Sequence, residues 1–320
     1  MAQHFLLSSA ARSLSLKEIY KAGEQVAYET FCNIRWASTG GEAVCPKCGC
    51  CETYNITTRR KFKCKGCHHQ FSVTSGTIFA SRKLDFVDLL AAICLFVTNS
   101  KGMSAVQFSR TLSVQYKTAW VMAHKLREAF GSETDNTELD GEVEIDGAYF
   151  GGHIKPANEK TNRIDRRKAE NQTGLRRVVI ALRERHGRTL PFVGKSEAEG
   201  VKIAHAVVEH GSMMFADEAS HWDLLDTTFE CGRINHSKRY SEMNGKHTNW
   251  VESYFSRLRR MVSGQHHFVS PKYLHQYATH AAWLEDHRMD CAKVLVERVL
   301  QNGLFSPVSR EFKGYWQKAN

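Results

Sequence analysis

The sequence contains no hydrophobic run long enough to cross a lipid bilayer. The longest such run, Phe86 to Thr98, includes Asp88 and falls well short of the roughly 20 apolar residues that a spanning helix needs. Near the N-terminus the only apolar patch is Phe5-Leu6-Leu7, which is too short for the core of a signal peptide. We therefore expect no membrane partner and a cytoplasmic location.

This chain has fewer acidic residues than basic residues. Asp and Glu total 34 against 44 Lys and Arg, which gives a formal net charge of +10 and a pI near 9.1. This excess predicts a polyanionic partner, although a ribosome-associated or membrane-surface protein would also fit. The length of 320 residues allows two or more domains, and 42% hydrophobic content is typical of a globular protein.

Ten cysteines in a reducing compartment favour metal binding over disulfides. Four of them form two CxxC pairs separated by fifteen residues, namely Cys45, Cys48, Cys64 and Cys67. Each pair brings two thiolates together on one tight turn, and a short hairpin can bring the second pair across to complete a tetrahedral Zn²⁺ site. The spacing predicts a structural zinc ribbon, and the alternative is four buried cysteines.

The predicted ribbon is rich in basic residues. Among them Arg60 and Lys61 are our candidates for contact with a phosphate backbone, and a solvated charged face is the alternative. Cys50 and Cys51 closely follow the first pair and could compete as zinc ligands. The symmetric arrangement of the two CxxC pairs favours the simpler four-cysteine set.

Two helical segments follow, from about Met103 to Val114 and from Tyr116 to Arg127. A short helix, a turn and a longer helix are typical of a helix-turn-helix, in which Lys117, Thr118 and Lys125 would contact DNA. A purely structural helical bundle has a similar pattern. The neighbouring ribbon and the basic charge favour the DNA-binding interpretation.

Carboxylates stand at the ends of two predicted strands. Residues 142–146 alternate apolar and acidic side chains, as expected of a strand with one face against a core, and the strand carries Asp146. A second apolar run, residues 213–216, ends at Asp217, with Glu218 beside it. A solvated strand end is the alternative for either acid considered alone.

A third candidate acid lies on a predicted amphipathic helix that begins near residue 249. An apolar stripe runs along one face, while Asn249, Glu252 and Arg259 follow the neighbouring polar face. Asp146, Asp217 and Glu252 could together hold two Mg²⁺ or Mn²⁺ ions for in-line phosphoryl transfer, and Arg259 could hold the DNA backbone nearby. The hydrophilic loop between residues 153 and 177 adds three candidate DNA contacts, Arg166, Arg167 and Arg176.

The remaining elements of this half are strands at 178–182 and 190–194, a helix at 196–211, a possible strand at 229–235 and a long helix at 271–287. Their order reproduces that of an RNase H-like fold. The predicted fold class is therefore multi-domain α/β, with a zinc ribbon and helix-turn-helix before an RNase H-like mixed-sheet catalytic domain. We expect a helical segment at 1–40, the ribbon at 41–80, the helix-turn-helix at 81–131, the catalytic domain at 140–290 and a C-terminal helix and tail at 291–320.

The chain resembles bacterial insertion-sequence transposases that join a zinc ribbon to a DDE-type catalytic domain. The matching pieces are the four cysteines and residues 72–77, 145–152, 215–217 and 247–249 with Glu252. The resemblance implies Asp146 and Asp217 as the first two acids and leaves the third between Asn249 and Glu252. We favour Glu252, because a charged oxygen binds a hard cation better than an amide does. Arg259 stands where such families usually have a lysine.

What the resemblance implies is cleavage at the ends of a mobile element and joining of the freed 3′-ends to target DNA. It also implies a homo-oligomer on double-stranded DNA and association with the bacterial nucleoid. Two alternatives are a non-enzymatic zinc-ribbon DNA-binding regulator and an RNase H-like nuclease that does not join strands. The regulator has no use for three acids, whereas the nuclease would share all of them.

Overall fold

The computed structural model divides the chain into two compact units, Met1–Glu133 with His287–Asn320, and Thr134–Asp286. None of the helices in the residues described is long and apolar enough to cross a membrane. The description covers residues 5–133, 137–152, 155–165, 168, 171, 174–235, 245–309 and 311–312.

The first unit is built mainly from helices. A capping box at Ser15 begins α1, in which the Ser15 hydroxyl and the Glu18 carboxylate each accept a backbone N–H from the other residue. The same helix is interrupted at Gly23, whose φ of 81° lies outside the helical region. The helices of this unit are α1 (Leu16–Arg35), α2 (Phe86–Thr98), α3 (Ala105–Thr111), α4 (Tyr116–Gly131) and α8 (Ala292–Phe305).

Helix α8 is separated in sequence from the rest of its unit but packs on α1, α2 and α4. The side chains of Val299 and Leu300 are fully buried. A β-carbon at Gly303 would lie 2.4 Å from the ring of Phe79, so the helix approaches this ring closely at a residue without a side chain. The first unit therefore depends on the C-terminal helix for part of its core.

A three-stranded antiparallel sheet with order β1-β2-β3 also belongs to this unit. Its strands are β1 (Thr53–Ile56), β2 (Lys61–Cys64) and β3 (Gln70–Phe71). Trp36 packs edge-on against Phe62 and Phe71, with ring centroids 5.4 and 6.3 Å apart. These aromatic side chains give the small sheet its hydrophobic contacts.

The second unit contains a five-stranded mixed sheet. Its strands are β4 (Glu142–Phe150), β5 (Arg177–Glu184), β6 (Thr189–Gly194), β7 (Met213–Asp217) and β8 (Glu230–Ile234). The spatial order is β6-β5-β4-β7-β8, in which β4, β5 and β6 are antiparallel while β7 and β8 run parallel to β4. The remaining elements named here are α5 (Glu199–Val207), α6 (Asn249–Met261) and α7 (Leu274–Asp286).

Both faces of this sheet are covered. Val143 and Ile145 of β4 join a buried cluster with residues of α5 and of the 3₁₀ helix Ser220–Thr227. On the opposite face α6 packs on β4 and β5, and α7 packs on β6. The alternation in β4 predicted one buried face and one open face, but Glu144 is completely buried because α6 covers the second face. This order of elements confirms the predicted α/β fold with an RNase H-like mixed sheet.

Candidate active site and zinc site

The four cysteines of the two CxxC pairs converge in the ribbon. Their Sγ atoms are 3.6 Å apart for Cys45 and Cys67, 3.5 Å for Cys48 and Cys64, and 3.4 Å for Cys48 and Cys67. Four sulfurs at about 2.3 Å from a tetrahedral Zn²⁺ ion would be about 3.8 Å apart, so the set fits zinc with a small expansion. In the described residues, no other group of three or more Cys, His or acidic side chains brings its ligand atoms within 4.8 Å of one another.

Backbone geometry prepares both cysteine pairs for the metal. Gly49, with φ of 72°, donates its N–H to the carbonyl of Cys45, and His68 donates to the carbonyl of Cys64. The N–H of Cys67 points to the Cys64 sulfur at 3.4 Å. Hydrogen bonds from backbone groups, chiefly that of Cys67, lower the pKa of the Cys64 thiol to about 6, which favours the thiolate that zinc requires.

Asp146 and Asp217 lie on two adjacent parallel strands, β4 and β7. The register of β4 and β7 pairs Glu142 with Met213 and Glu144 with Phe215, where the recorded pairing ends. Continued by two residues, the same register sets Asp146 opposite Asp217, whose charge acts on the Asp146 carboxyl. Each carboxylate accepts a backbone N–H close to it, from Gly147 at 2.7 Å and from Ala219 at 3.1 Å. The fold therefore places two acids side by side where β7 ends.

The surroundings of the Asp146 carboxyl shift its pKa. Burial, followed by the charges of Asp217 and Glu197, raises the pKa of Asp146 to about 7, although the Gly147 N–H and the Arg259 charge oppose this rise. Repulsion among carboxylates that share a desolvated site is relieved when a divalent cation binds between them. An all-oxygen donor set made of neighbouring carboxylates fits Mg²⁺ or Mn²⁺.

Glu197 is a fourth acid in this region that the sequence patterns did not indicate. Its side chain approaches the backbone of Gly147, and its Oε2 lies 3.4 Å from Nε2 of His221. Burial and the charge of Asp217 raise the pKa of Glu197, against the lowering effects of His221 and Arg176. A glycine inside a strand often marks the close approach of another group, and Gly147 was the available signal.

Helix α6 carries the remaining predicted acid and its alternative. Glu252 is partly buried, and the hydroxyl of Thr248 donates to its Oε1 at 3.3 Å. The side chain of Asn249 is exposed one turn earlier. Arg259 is exposed two turns later, yet it is near enough to Asp146 to lower the pKa of that carboxyl. One helix thus presents the candidate third acid and the candidate cation on the face of the sheet that bears Asp146.

Some of the predicted DNA contacts in the first unit are exposed, and others contact neighbouring residues of the same unit. Lys61 and Lys117 are exposed, and Thr118 is partly exposed near the start of α4. Arg60 forms an ion pair with Glu24 and lies over the ring of Tyr28, 5.1 Å from its centroid. The ammonium of Lys125 donates to the carbonyl of Ala80 at 3.1 Å. Arg60 and Lys125 therefore take part in packing within the unit.

Of the three predicted contacts in the basic loop, Arg176 is described and is exposed, with its guanidinium 4.1 Å from the centroid of the Tyr149 ring. Arg166 and Arg167 lie outside the described residues. Arg176 also lowers the pKa of Glu197, so it is a cation close to the acidic group. Its position at the start of β5 suits a contact with phosphate beside the acids.

Two protein-family models match this chain. Residues 138–286 match the ISXO2-like transposase domain, and residues 23–70 match a transposase zinc-ribbon domain. The two matches together cover more than half of the sequence. These matches confirm the resemblance to insertion-sequence transposases that have an N-terminal zinc ribbon. A comparison with curated proteins gave no match.

The two matched regions contain the two sites described above. The zinc-ribbon match includes the four cysteines of the two CxxC pairs, and the match to the transposase domain runs from before β4 to the end of α7. The second region therefore includes Asp146, Glu197, Asp217 and Glu252. The two matches, together with the cysteine cluster, support a transposase that binds DNA and has a structural zinc site.

Proposed function

We propose that this transposase cuts DNA at the ends of its insertion sequence and joins the freed 3′-ends to target DNA, with Mg²⁺ or Mn²⁺ as the catalytic cofactor. The proposal rests on the position of Asp146 opposite Asp217 on neighbouring strands, beside helix α6, which carries Glu252 and Arg259. Carboxylates grouped in this way suit the binding of divalent ions for phosphoryl transfer.

Each acid has a proposed role. Asp146 would contact both ions, while Asp217 and Glu252 would each complete one side. Described ligand atoms of these three acids do not lie within 4.8 Å of one another as the cysteine sulfurs do. Two ions about 3.5 to 4 Å apart would take water and phosphate oxygens as their further ligands. Bound metal would activate the attacking oxygen and stabilise the leaving oxygen.

Positively charged residues near the acids would hold the DNA. Arg259 would contact a phosphate near the cleaved bond, and Arg176 would contact the backbone at the end of β4. In the first unit we propose Lys61 and Lys117 as phosphate contacts, since both are exposed. A multimer bound to paired element ends is part of the same proposal.

The non-enzymatic regulator is the main competing function. It requires the ribbon and the helices α3 and α4, but it gives no reason for the partly buried Asp146 carboxyl, whose pKa is raised by desolvation and by its acidic neighbours. A nuclease without joining activity would use the same acids, and only the reaction products separate it from the proposed transposase.

The test is metal-dependent cleavage and strand joining on DNA that carries the element ends. Native protein is compared with Asp146→Ala, Asn249→Ala and Glu252→Ala, and Glu218→Ala is the matched control, because Glu218 is exposed and adjoins Asp217. We expect both activities to be lost in Asp146→Ala and retained in Glu218→Ala. Whichever of Asn249→Ala and Glu252→Ala also loses them identifies the third ligand. Specific binding of the ends without cutting, at any divalent metal, would support the regulator, and cutting without joining would support the nuclease.

A further inference from the structure

Glu144 lies two residues before Asp146 on β4 and is completely buried. Its carboxylate has four partners. Oε1 accepts from Nε of Arg185 at 3.0 Å and lies 2.9 Å from Nδ1 of His247. Oε2 accepts the backbone N–H groups of Trp250 at 2.8 Å and Val251 at 3.0 Å. A buried carboxylate with this many partners is held in one position.

The two backbone donors belong to the first turn of α6. The initial N–H groups of a helix have no partners within the helix and need a capping acceptor. Thr248 precedes α6 but makes no side-chain cap, and its hydroxyl donates instead toward Glu252. Glu144 supplies the cap from a different element, and its negative charge also suits the positive end of the helix dipole.

This arrangement ties together the elements that carry the proposed metal ligands. Asp146 is on the strand that contains Glu144, and Asn249 and Glu252 are in the first turn of the helix that Glu144 caps. The link passes through backbone N–H groups, so it fixes the turn itself and not one flexible side chain. Arg185 adds a second contact, because it donates to the backbone carbonyl of His247 at 2.9 Å.

We propose that Glu144 is a positioning residue that fixes the third acid on α6 in register with Asp146 on β4. The proposal rests on the function proposed above. Glu144 would touch neither metal nor DNA, and it would act through the position of the first turn of α6. Removing the cap would let that turn fray or shift, and a displacement of about 1 Å can cost about a hundredfold in rate.

The strand provides a matched control for Glu144. Glu142 also binds Arg185, at 3.0 Å, but its side chain is 52% exposed and none of its described contacts reaches α6. Glu144→Gln replaces one acceptor oxygen by a donor, so either the α6 N–H groups or the Arg185 and His247 side lose an acceptor. Glu144→Asp keeps the charge, but its side chain is one methylene too short to reach the α6 N–H groups and Arg185 at the same time. It is the second variant to test if Glu144→Gln does not fold.

The experiment measures Mn²⁺ affinity by titration without DNA, and end cleavage in parallel, for native protein, Glu144→Gln, Glu144→Asp, Glu142→Gln and Asp146→Ala. We expect the two Glu144 variants to bind Mn²⁺ about 10- to 100-fold more weakly, as for residues that orient metal ligands. Glu142→Gln should stay within about twofold of native protein, as surface substitutions usually do. Circular dichroism of each variant confirms that the fold is intact.

A double-mutant cycle separates positioning from general loss of structure. Glu144→Gln is combined with whichever of Glu252→Ala and Asn249→Ala weakens Mn²⁺ binding. If Glu144 acts through that ligand, its substitution has little further effect on Mn²⁺ affinity once the ligand is absent. Full additivity, or a Glu144 variant that behaves like Glu142→Gln while Asp146→Ala loses metal, would overturn the inference and leave the proposed function intact. Equal Mn²⁺ binding by native protein and Asp146→Ala would overturn both.

Discussion

The side chain of Glu197 lies directly against the backbone of Gly147, the residue that follows Asp146. A β-carbon at residue 147 would be 2.5 Å from Cγ of Glu197 and 2.7 Å from its Oε1. Gly147 is not among the glycines with positive φ, so its backbone conformation does not require glycine. The requirement comes from Glu197, which occupies the space where a side chain would be.

This contact predicts that Gly147→Ala and Glu197→Gln have the same consequence. The first displaces the Glu197 carboxylate and the second removes its charge, so each reduces the negative charge next to Asp146. We expect either change to weaken Mn²⁺ binding about tenfold. Calorimetric titration is the measurement, with Glu218→Gln as the exposed control. An effect no larger than that of the control would show that Glu197 does not contribute to metal binding.

A second prediction concerns pH and Asp146 in the absence of metal. The pKa of this carboxyl rises from 3.8 to about 7 on folding, chiefly through burial. Between these values the folded state holds a proton that the unfolded state has lost, so this group lowers stability progressively as pH increases, and the loss is complete above pH 7. Asp146→Asn should therefore stabilise the metal-free protein at pH 8 by at least about 1 kcal/mol, and by less at pH 5.

Urea unfolding of the second unit at the two pH values checks this expectation. Asp140→Asn is the control, because Asp140 is exposed just before β4. A gain in stability that is equal at pH 5 and pH 8 would contradict the proposed titration of Asp146. Saturating Mg²⁺ should reverse the order at pH 8, since the metal stabilises only the protein that keeps the carboxylate.

The zinc site leads to a third prediction. Cys48→Ser removes one of the four ligands, whereas Cys51→Ser changes an exposed thiol outside the cluster. We expect the first variant to lose bound zinc and the protease resistance of the ribbon, because metal binding supplies much of the folding energy of a segment this small. Zinc content and limited proteolysis measure both effects. Stoichiometric zinc in Cys48→Ser would argue that a neighbouring cysteine replaces it.

A buried ion pair gives the fourth prediction. Arg183 and Glu285 are each 3% exposed and lie 3.3 Å apart, and Arg257 donates to the same carboxylate at 2.7 Å. Glu285→Ala would leave Arg183 charged in the interior of the second unit, so we expect a loss of about 3 to 5 kcal/mol. Chemical unfolding measures it, and Glu297→Ala, at an exposed position, should change stability by less than about 0.5 kcal/mol. Similar values for the two variants would contradict a buried role for the pair.

Much of the fold could be predicted because it is encoded locally. Alternation in β4, the apolar run of β7 and the helical spacing of α6 each lie within one short segment, and together they place Asp146, Asp217 and Glu252 on the correct kinds of element. Each CxxC pair can likewise be recognised within one short segment. The level pairing of the two aspartates depends on the register between strands, which no single segment specifies.

The burial of Glu144 could not be predicted in the same way. Its partners lie on the turn after β5 and at the start of α6, so an acid that resembles a solvent-facing strand residue in sequence becomes a helix cap in the fold. Lys125 makes a contact that could not be predicted from its own segment. Its ammonium donates to the backbone carbonyl of Ala80. Ala80 lies 45 residues earlier in the chain, so the helical pattern around Lys125 does not indicate this contact.

The return of α8 to the first unit has a consequence for how the chain is made. The second unit is an insertion within the first, and all of its residues have been synthesised once Asp286 is added. The zinc-bearing unit must wait for α8, whose buried face is the last large part of its core. A chain truncated near residue 290 would keep every residue of the second unit but lack α8, so we expect the truncation to destabilise the first unit more than the second.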